Sequence, residues 1–354
     1  MLKDILEIFL ITHNRKTYLQ KTFNQIFADN SPIKNFDITI LNNNSNDGTT
    51  ELIEKYREKF NNIKHIIHNR NIGGNANIAR AFEIAKKKYV WILCDDDTFD
   101  FTYWNKLEEA LLSNQYDLVV VANYINPSKN LAQLVGQLTF VPAGIYRTKY
   151  IDTDVMVSIE YNIPNMFPHL IFVFEMINNN RQIKILDNYI VKMIPNCGED
   201  SYVRDTNKKR YTGITTMFWQ VGFLNSIHML RDLNKRKEIL EDLCTENNNL
   251  KFLSLDRIIE ANKTLGKNST KNLFDVFYSY SVVDKNIASR LGLCIAILTK
   301  CSIVNNKKVI LEFILNNIIE MLKKVVVIYK TDKGYNIKFF DRVKIRIWTN
   351  KLFS

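Results

Sequence analysis

Apolar residues in the first 125 positions follow two different spacings, and their alternation predicts a sheet with crossover helices. Short apolar segments rich in β-branched and aromatic residues predict strands at 5–11, 36–41, 63–67, 89–94 and 117–122. Between these segments apolar residues recur three or four positions apart, as Leu19, Phe23 and Phe27 do, which predicts amphipathic helices. Strands that alternate with such helices form parallel sheets with right-handed crossovers. We therefore predict an α/β domain built on a mostly parallel sheet flanked by helices.

Polar turns follow the ends of the predicted strands. They are Thr12-His13-Asn14-Arg15, Asn42-Asn-Asn-Ser-Asn-Asp-Gly-Thr49, Asn69-Arg-Asn-Ile-Gly-Gly-Asn75 and Asp95-Asp96-Asp97. Open α/β sheets bind ligands at the carboxyl ends of their strands, so these turns are candidate binding loops. Three adjacent carboxylates repel one another, and a divalent cation would relieve that repulsion. The alternative interpretation of the last turn is a solvated acidic loop.

In order and spacing, the four turns resemble those of family 2 glycosyltransferases with the GT-A fold. The resemblance implies that the sheet binds a nucleotide-diphospho-sugar donor. It also implies that Asp97 ligates Mn²⁺ or Mg²⁺ directly and that Asp95 contacts the ribose or a metal-bound water. The cation would neutralise the charge that develops on the diphosphate leaving group.

Further donor-binding residues are implied by the same resemblance. They are Thr12, Asn14, Arg15, Asn42, Asn43, Asp47, Arg70, Gly73, Gly74 and Asn75. Asn42 and Asn43 stand where family members often have an acidic residue, and an amide both donates and accepts hydrogen bonds. The nucleotide base therefore stays open. Asp47 is equally suited to capping the following helix, and a surface position is the alternative for Arg15 and Arg70.

Two candidates compete for the general base that an inverting family member requires. The first is His169 in Phe167-Pro-His-Leu170, a stretch similar to the abequosyltransferase-like group, with a side chain that titrates near neutral pH. The second is the Glu199–Asp200 pair, which has the expected chemistry but lies about thirty residues further along the chain.

The C-terminal third differs from the rest of the chain in charge. Residues 226–354 contain 23 Lys and Arg against 13 Asp and Glu, so they hold ten of the eleven net positive charges. Apolar spacing over 309–330 predicts a helix. We divide the chain into a glycosyltransferase domain, 1–225, and a helical, basic C-terminal region, 226–354. Basic and aromatic residues alternate in its final segment, which suits either an anionic membrane surface or plain packing, and no nucleic-acid-binding motif is present.

The remaining sequence features concern the compartment and the function class. Five cysteines without metal-ligand spacing suit a reducing cytosol, and no signal peptide or spanning helix is expected. We predict a cytoplasmic transferase that glycosylates a saccharide or lipid-linked glycan of the bacterial surface, and the basic C-terminal region suits a peripheral position on the inner face of the cytoplasmic membrane. The alternatives are a catalytically silent sugar-nucleotide- or glycan-binding protein and a sugar nucleotidyltransferase.

Overall fold

The structure is a computed structural model of the 354-residue chain. It describes residues 1–122, 130–193, 222–223 and 225–243, and three strands between 326 and 348. The chain forms two compact units, Met1–Thr264 and Leu265–Ser354. No helix among these described residues is long and apolar enough to cross a bilayer.

The first unit alternates strands and helices over its first 120 residues, as predicted. Its strands are β1 (Leu6–Thr12), β2 (Ile38–Asn42), β3 (Ile63–Ile67), β4 (Tyr89–Cys94), β5 (Thr98–Phe99), β6 (Leu118–Val120), β7 (Gly144–Arg147), β8 (Ile183–Ile185) and β9 (Val191–Lys192). Its described helices are α1 (Leu2–Ile5), α2 (Lys16–Ile26), α3 (Thr49–Arg57), α4 (Gly74–Ile84), α5 (Trp104–Leu112), α6 (Leu131–Leu138), α7 (Thr153–Tyr161), α8 (Pro168–Asn178) and α9 (Leu233–Leu243). Short 3-10 turns lie at Phe101–Tyr103, Val141–Ala143, Thr148–Tyr150 and Ile163–Asn165.

Seven of these strands form one sheet in the order β3-β2-β1-β4-β7-β6-β8. Strands β3, β2, β1 and β4 are mutually parallel, which confirms the predicted crossovers. Strand β7 runs antiparallel between β4 and β6, so the sheet is mixed at this position. A separate two-stranded ladder pairs β5 with β9.

Strand β4 lies at the centre of the core. Tyr89, Trp91 and Leu93 are fully buried, and the Trp91 indole donates a hydrogen bond to the carbonyl of Pro142 at 2.9 Å. A strand that is covered on both faces consists of consecutive apolar residues, and this pattern predicts the strand from the sequence. The carboxylates that follow it are therefore attached to one of the most rigid elements of the fold.

Residues 226–243, which the predicted division assigns to the C-terminal region, belong to the first unit. Helix α9 packs against α6, and Arg231 forms an ion pair with Glu175 of α8 at 3.2 Å. The helical prediction thus holds for this part of the C-terminal region.

The prediction of a helical C-terminal region is wrong over 326–348. There β10 (Val326–Thr331), β11 (Gly334–Phe339) and β12 (Val343–Trp348) form an antiparallel sheet, with Thr331 paired to Gly334 and Ile337 to Ile345. The physical reason is visible in Val343-Lys-Ile-Arg-Ile-Trp348, where apolar and basic residues alternate at the period of a strand. We had interpreted that alternation as an interfacial composition rather than as a strand.

Candidate active site

The turns that follow β1, β2 and β4 meet at one edge of the sheet. Thr12 at the end of β1 is paired in register with Asn42 at the end of β2, and Ile11 is paired with Cys94 at the end of β4. Because the three strands are parallel, the residues after each of them emerge side by side. The predicted convergence of the polar turns on the carboxylate turn is therefore confirmed.

Asp95 is held from two sides. The Thr12 hydroxyl donates to its Oδ2 at 2.5 Å, and the Arg15 guanidinium lies 3.3 Å from its Oδ1. The same guanidinium donates to Asp96 Oδ2 at 2.5 Å, so Arg15 neutralises part of the charge of both residues. Helix α2 also fixes the backbone of the turn, since Thr22 donates to the carbonyl of Asp95.

Asp97 is the carboxylate with an unsatisfied atom. Its side chain is 2% exposed, and its Oδ2 is buried without a hydrogen-bond partner. Burial, followed by repulsion from Asp96 and Asp95, raises the pKa of Asp97 well above its usual range. Burial likewise raises the pKa of Asp95 to about 7, although Arg15 opposes the rise. A buried carboxylate beside two other carboxylates is costly, and a cation at this position would lower that cost.

The residues around Asp97 fit a hard divalent cation. Ligand atoms of Asp96, Asp97 and Cys94 lie within 4.8 Å of one another. Mg²⁺ prefers carboxylate oxygens, and burial raises the pKa of the Cys94 thiol, so the two aspartates are the suitable ligands. This grouping differs from the predicted pair of Asp95 and Asp97, because it contains Asp96 in place of Asp95. The predicted Asp-x-Asp pattern gave no role to its central residue.

Asn42 and Asn43 lie at this edge, but the protein itself satisfies their amides. Asn42 is fully buried, accepts from the backbone N–H of Ser45 and donates to Thr50. Asn43 accepts from the N–H of Ile72 and donates to Asn71 Oδ1 at 2.6 Å. The structure thus shows both amides shaping the loop; a direct contact with the nucleoside stays a prediction.

Asp47 and Asn14 join the first two turns. Asp47 accepts hydrogen bonds from the N–H groups of Lys16 and Thr49, at the starts of α2 and α3. Asn14 adopts a left-handed conformation (φ 52°) and accepts from the N–H of Asn46 at 2.7 Å. For Asp47 this geometry favours the helix-capping interpretation. For Asn14 it favours a structural role in the loop.

The glycine loop leads into α4. Gly73 has a φ of 87°, which favours glycine, and added Cβ atoms at Gly73 and Gly74 would meet no atom within 4 Å. Arg70 and both glycines are exposed, whereas Asn75 donates to the carbonyl of Ile163 at 3.0 Å. A ligand thus has open space above this loop.

His169 lies in the core, contrary to what a general base requires. It is fully buried near the start of α8, and its Nε2 lies 2.8 Å from the carbonyl of Leu138. Burial lowers the pKa of His169 to about 4. Since the ring has no path to a sugar hydroxyl, its position argues against the predicted catalytic role. Glu199 and Asp200 lie outside the described residues.

Comparison with known proteins decides the family. Residues 7–180 match the sequence profile of Glycosyl transferase family 2. This part of the chain is a family 2 glycosyltransferase domain. The glycosyltransferase domain includes every site residue described above, and its mostly parallel sheet with flanking helices is of the GT-A type.

Similar proteins cover only part of the chain. The abequosyltransferase RfbV of Salmonella typhimurium is 35% identical over 89 residues, which are 24% of this chain and 26% of that protein. An uncharacterized glycosyltransferase of Mycoplasma pneumoniae is 25% identical over 130 residues, which are 36% of this chain and 42% of that protein. The chain thus matches less than half the length of each.

Two solved structures resemble the whole chain more loosely. Residues 1–349 of S. aureus TarS are 15% identical with a TM-score of 0.49, and the match covers 96% of this chain and 97% of that one. The mannosyltransferase PcManGT from Pyrobaculum calidifontis, solved with GDP-Man and Mn²⁺, is 10% identical with a TM-score of 0.48, over 90% and 87% of the two chains.

Replacement of His169 by Ala tests its role in the glycosyltransferase domain. Removing a buried ring should lower the free energy of unfolding by about 3 kcal/mol. The rate of donor turnover per folded molecule should remain near that of the wild type, because the ring does not reach the site. Chemical denaturation and a steady-state assay at 15 °C measure the two quantities. A loss of about 10²–10⁴-fold in a stably folded variant would restore His169 as the base.

Proposed function

We propose that this glycosyltransferase moves a sugar from a nucleotide-diphospho-sugar to a saccharide or lipid-linked glycan, with a divalent cation, Mn²⁺ or Mg²⁺, at Asp97. The observation that carries the proposal is the buried, unpartnered Oδ2 of Asp97 at the carboxyl end of β4. Asp97 is the acidic residue among the described residues with such an atom, and a bound cation would give it a partner. The adjacent ends of β1 and β2 provide the surface for the nucleotide.

Each residue at this edge has a proposed part in the reaction. Asp96 and Asp97 would hold the cation, which neutralises negative charge on the diphosphate as the sugar departs. Arg15 lies beside both neighbouring carboxylates and is within reach of a phosphate after release from Asp96. Thr12 holds Asp95 in position. We propose that the transfer inverts the configuration of the sugar carbon that is attacked, because the chain resembles inverting members of the family.

The finer features of the reaction are proposals as well. The similarity to an abequosyltransferase supports a hexosyl or deoxyhexosyl donor and a place in the synthesis of a bacterial surface polysaccharide such as lipopolysaccharide. The excess of Lys and Arg in residues 226–354 supports a cytoplasmic protein that associates peripherally with an anionic membrane surface.

A panel of nucleoside diphosphates tests donor binding. We expect one of UDP, CDP, GDP and dTDP to raise the melting temperature with Mn²⁺ and not with EDTA. A ligand at 100 times its Kd contributes about 2.7 kcal/mol, a shift of several degrees for a domain of this size. Differential scanning fluorimetry measures the shift. If none of the four nucleotides has an effect with Mn²⁺ or Mg²⁺, the proposed donor site is wrong.

A catalytically silent binding protein is the second candidate. The observation that favours it is the burial of His169, which places the histidine predicted as the general base away from the site. Such a protein would bind the nucleotide sugar without consuming it. Release of nucleoside diphosphate from the donor, followed by chromatography, separates the two functions.

A further inference from the structure

Three side chains form a hydrogen-bonded chain beneath the turn that follows β2. Glu54 Oε1 of α3 lies 2.6 Å from His65 Nδ1, and His65 Nε2 lies 3.2 Å from Asn42 Nδ2. The side chain of His65 is 1% exposed and Asn42 is fully buried, whereas Glu54 reaches solvent.

The direction of each hydrogen bond follows from one backbone group. The N–H of Ser45 can only donate, so the atom of Asn42 that faces it must be the amide oxygen. The Asn42 amide nitrogen therefore points to Thr50 and His65 and donates to both. His65 Nε2 must then accept, which puts the ring proton on Nδ1, where it is donated to the Glu54 carboxylate.

Glu54 is suited to keep the proton on Nδ1. The hydrogen bond with His65 is the largest cause that lowers the pKa of Glu54, and Arg57 contributes through an ion pair at 2.7 Å. An ionised carboxylate can only accept, so it selects the one neutral form of His65 whose Nε2 is free to accept from Asn42. The carboxylate at the solvent-exposed end of the chain thereby supports the same orientation of the buried Asn42 amide that the Ser45 N–H requires.

The turn that Asn42 shapes is connected to the glycine loop. The next residue, Asn43, accepts from Ile72 N–H and donates to Asn71, and Asn71 also accepts from Gly73 N–H at 2.8 Å. A rotation of the Asn42 amide would break its hydrogen bond to Ser45 and free the turn after β2 at the point where it connects to the glycine loop. Both loops border the space above the carboxyl ends of β1 and β2.

We propose that His65 and Glu54 are positioning residues, which hold the turn after β2 in the conformation that accepts the nucleoside of the donor. The inference rests on the proposed donor site, and it adds that nucleotide affinity depends on one nitrogen of a histidine whose side chain is buried beneath that site. If His65 merely filled the core, the loss of either ring nitrogen would change nucleotide affinity to the same extent.

Two substitutions at position 65 separate the nitrogens. The amide of His65→Gln places an acceptor near the Nε2 position and retains the bond to Asn42. The amide of His65→Asn places a donor near the Nδ1 position and retains only the bond to Glu54. Both lose the ring, so they serve as matched controls for stability. We expect nucleotide affinity within about threefold of the wild type for His65→Gln and at least about tenfold weaker for His65→Asn.

A second measurement does not depend on nucleotide. In metal-free protein without ligand, the Ser45 amide should exchange with deuterium at least about tenfold faster in His65→Asn than in His65→Gln. Equal exchange in the two variants would overturn the inference whether or not nucleotide binds. If the Ser45 amide exchanges at different rates in the two variants but the wild type binds no nucleotide, His65 positions the turn and the proposed donor site is wrong. If the wild type binds nucleotide and the two variants bind it with equal affinity, the inference is also overturned.

Discussion

Asp97→Asn should abolish metal-dependent nucleotide binding and, at the same time, make the metal-free protein more stable. The variant keeps the shape of the side chain but removes a negative charge that burial and the neighbouring Asp96 and Asp95 make unfavourable. A buried unsatisfied group costs about 1–3 kcal/mol when neutral and more when charged, and the substitution relieves the part that is due to the charge. We therefore expect the free energy of unfolding at pH 8 in EDTA to rise by about 1–3 kcal/mol. Thermal denaturation and nucleotide titration measure the two effects.

A gain in stability together with a loss of binding is the expected sign of a residue retained for a ligand. Asp154→Asn is the control, since it removes a carboxylate from an exposed position on α7. It should change neither quantity appreciably. Nucleotide binding by Asp97→Asn that still requires Mn²⁺ would exclude Asp97 as a ligand. A variant less stable than the wild type would show that the carboxylate has a partner within the protein.

The stability difference between Asp95→Asn and the wild type should grow with pH between about 4 and 7. Burial raises the pKa of Asp95 from 3.8 in the unfolded chain to about 7 in the folded protein. Within this window the folded protein holds a proton that the unfolded chain has lost. The wild type therefore loses stability as pH rises, until the folded carboxyl also ionises. A shift of about three units corresponds to about 4 kcal/mol.

Urea denaturation in EDTA, repeated at several pH values, measures this difference directly. The difference between variant and wild type removes contributions from titrating groups that do not interact with Asp95, including His169, whose lowered pKa acts in the opposite direction below about pH 6.5. Asp154→Asn again serves as the control. A flat difference for Asp95→Asn would mean that Arg15 and Thr12 compensate fully for the burial of the carboxylate.

Much of the fold could be predicted because the strands and helices of the first 120 residues have strong periodic patterns. Ile63–Ile67 was predicted at its observed bounds, and Tyr89–Cys94 is the central strand. The C-terminal strands were missed because the alternation of apolar and basic residues over Val343–Trp348 was interpreted as an interfacial composition, and apolar residues over 309–330, where the first of these strands begins, also fit a helical spacing. When apolar residues fit both the spacing of a helix and that of a strand, the local sequence does not decide between the two. Pairing with another strand then determines the structure.

For the site, the sequence identified the turns but not the contacts within them. Parallel strands bring their carboxyl ends together, so the convergence of Thr12, Asn42 and Asp95 followed from the element order. The partner of each side chain depends on distances between loops that are remote in sequence. For that reason Asp96 was overlooked, the amides of Asn42 and Asn43 turned out to be internally bonded, and the burial of His169 was not foreseen.

The antiparallel strand β7 has a consequence for synthesis of the protein. Strand β4 pairs with β1 on one side, but its other neighbour, β7, is about fifty residues further along the chain. Until β7 has been made, the nascent chain presents the apolar edge of β4 unpaired, and such edges recruit other chains. A fragment ending at Ala122 would contain every carboxylate of the site and yet should aggregate, so the donor-binding half depends on the second half for its solubility.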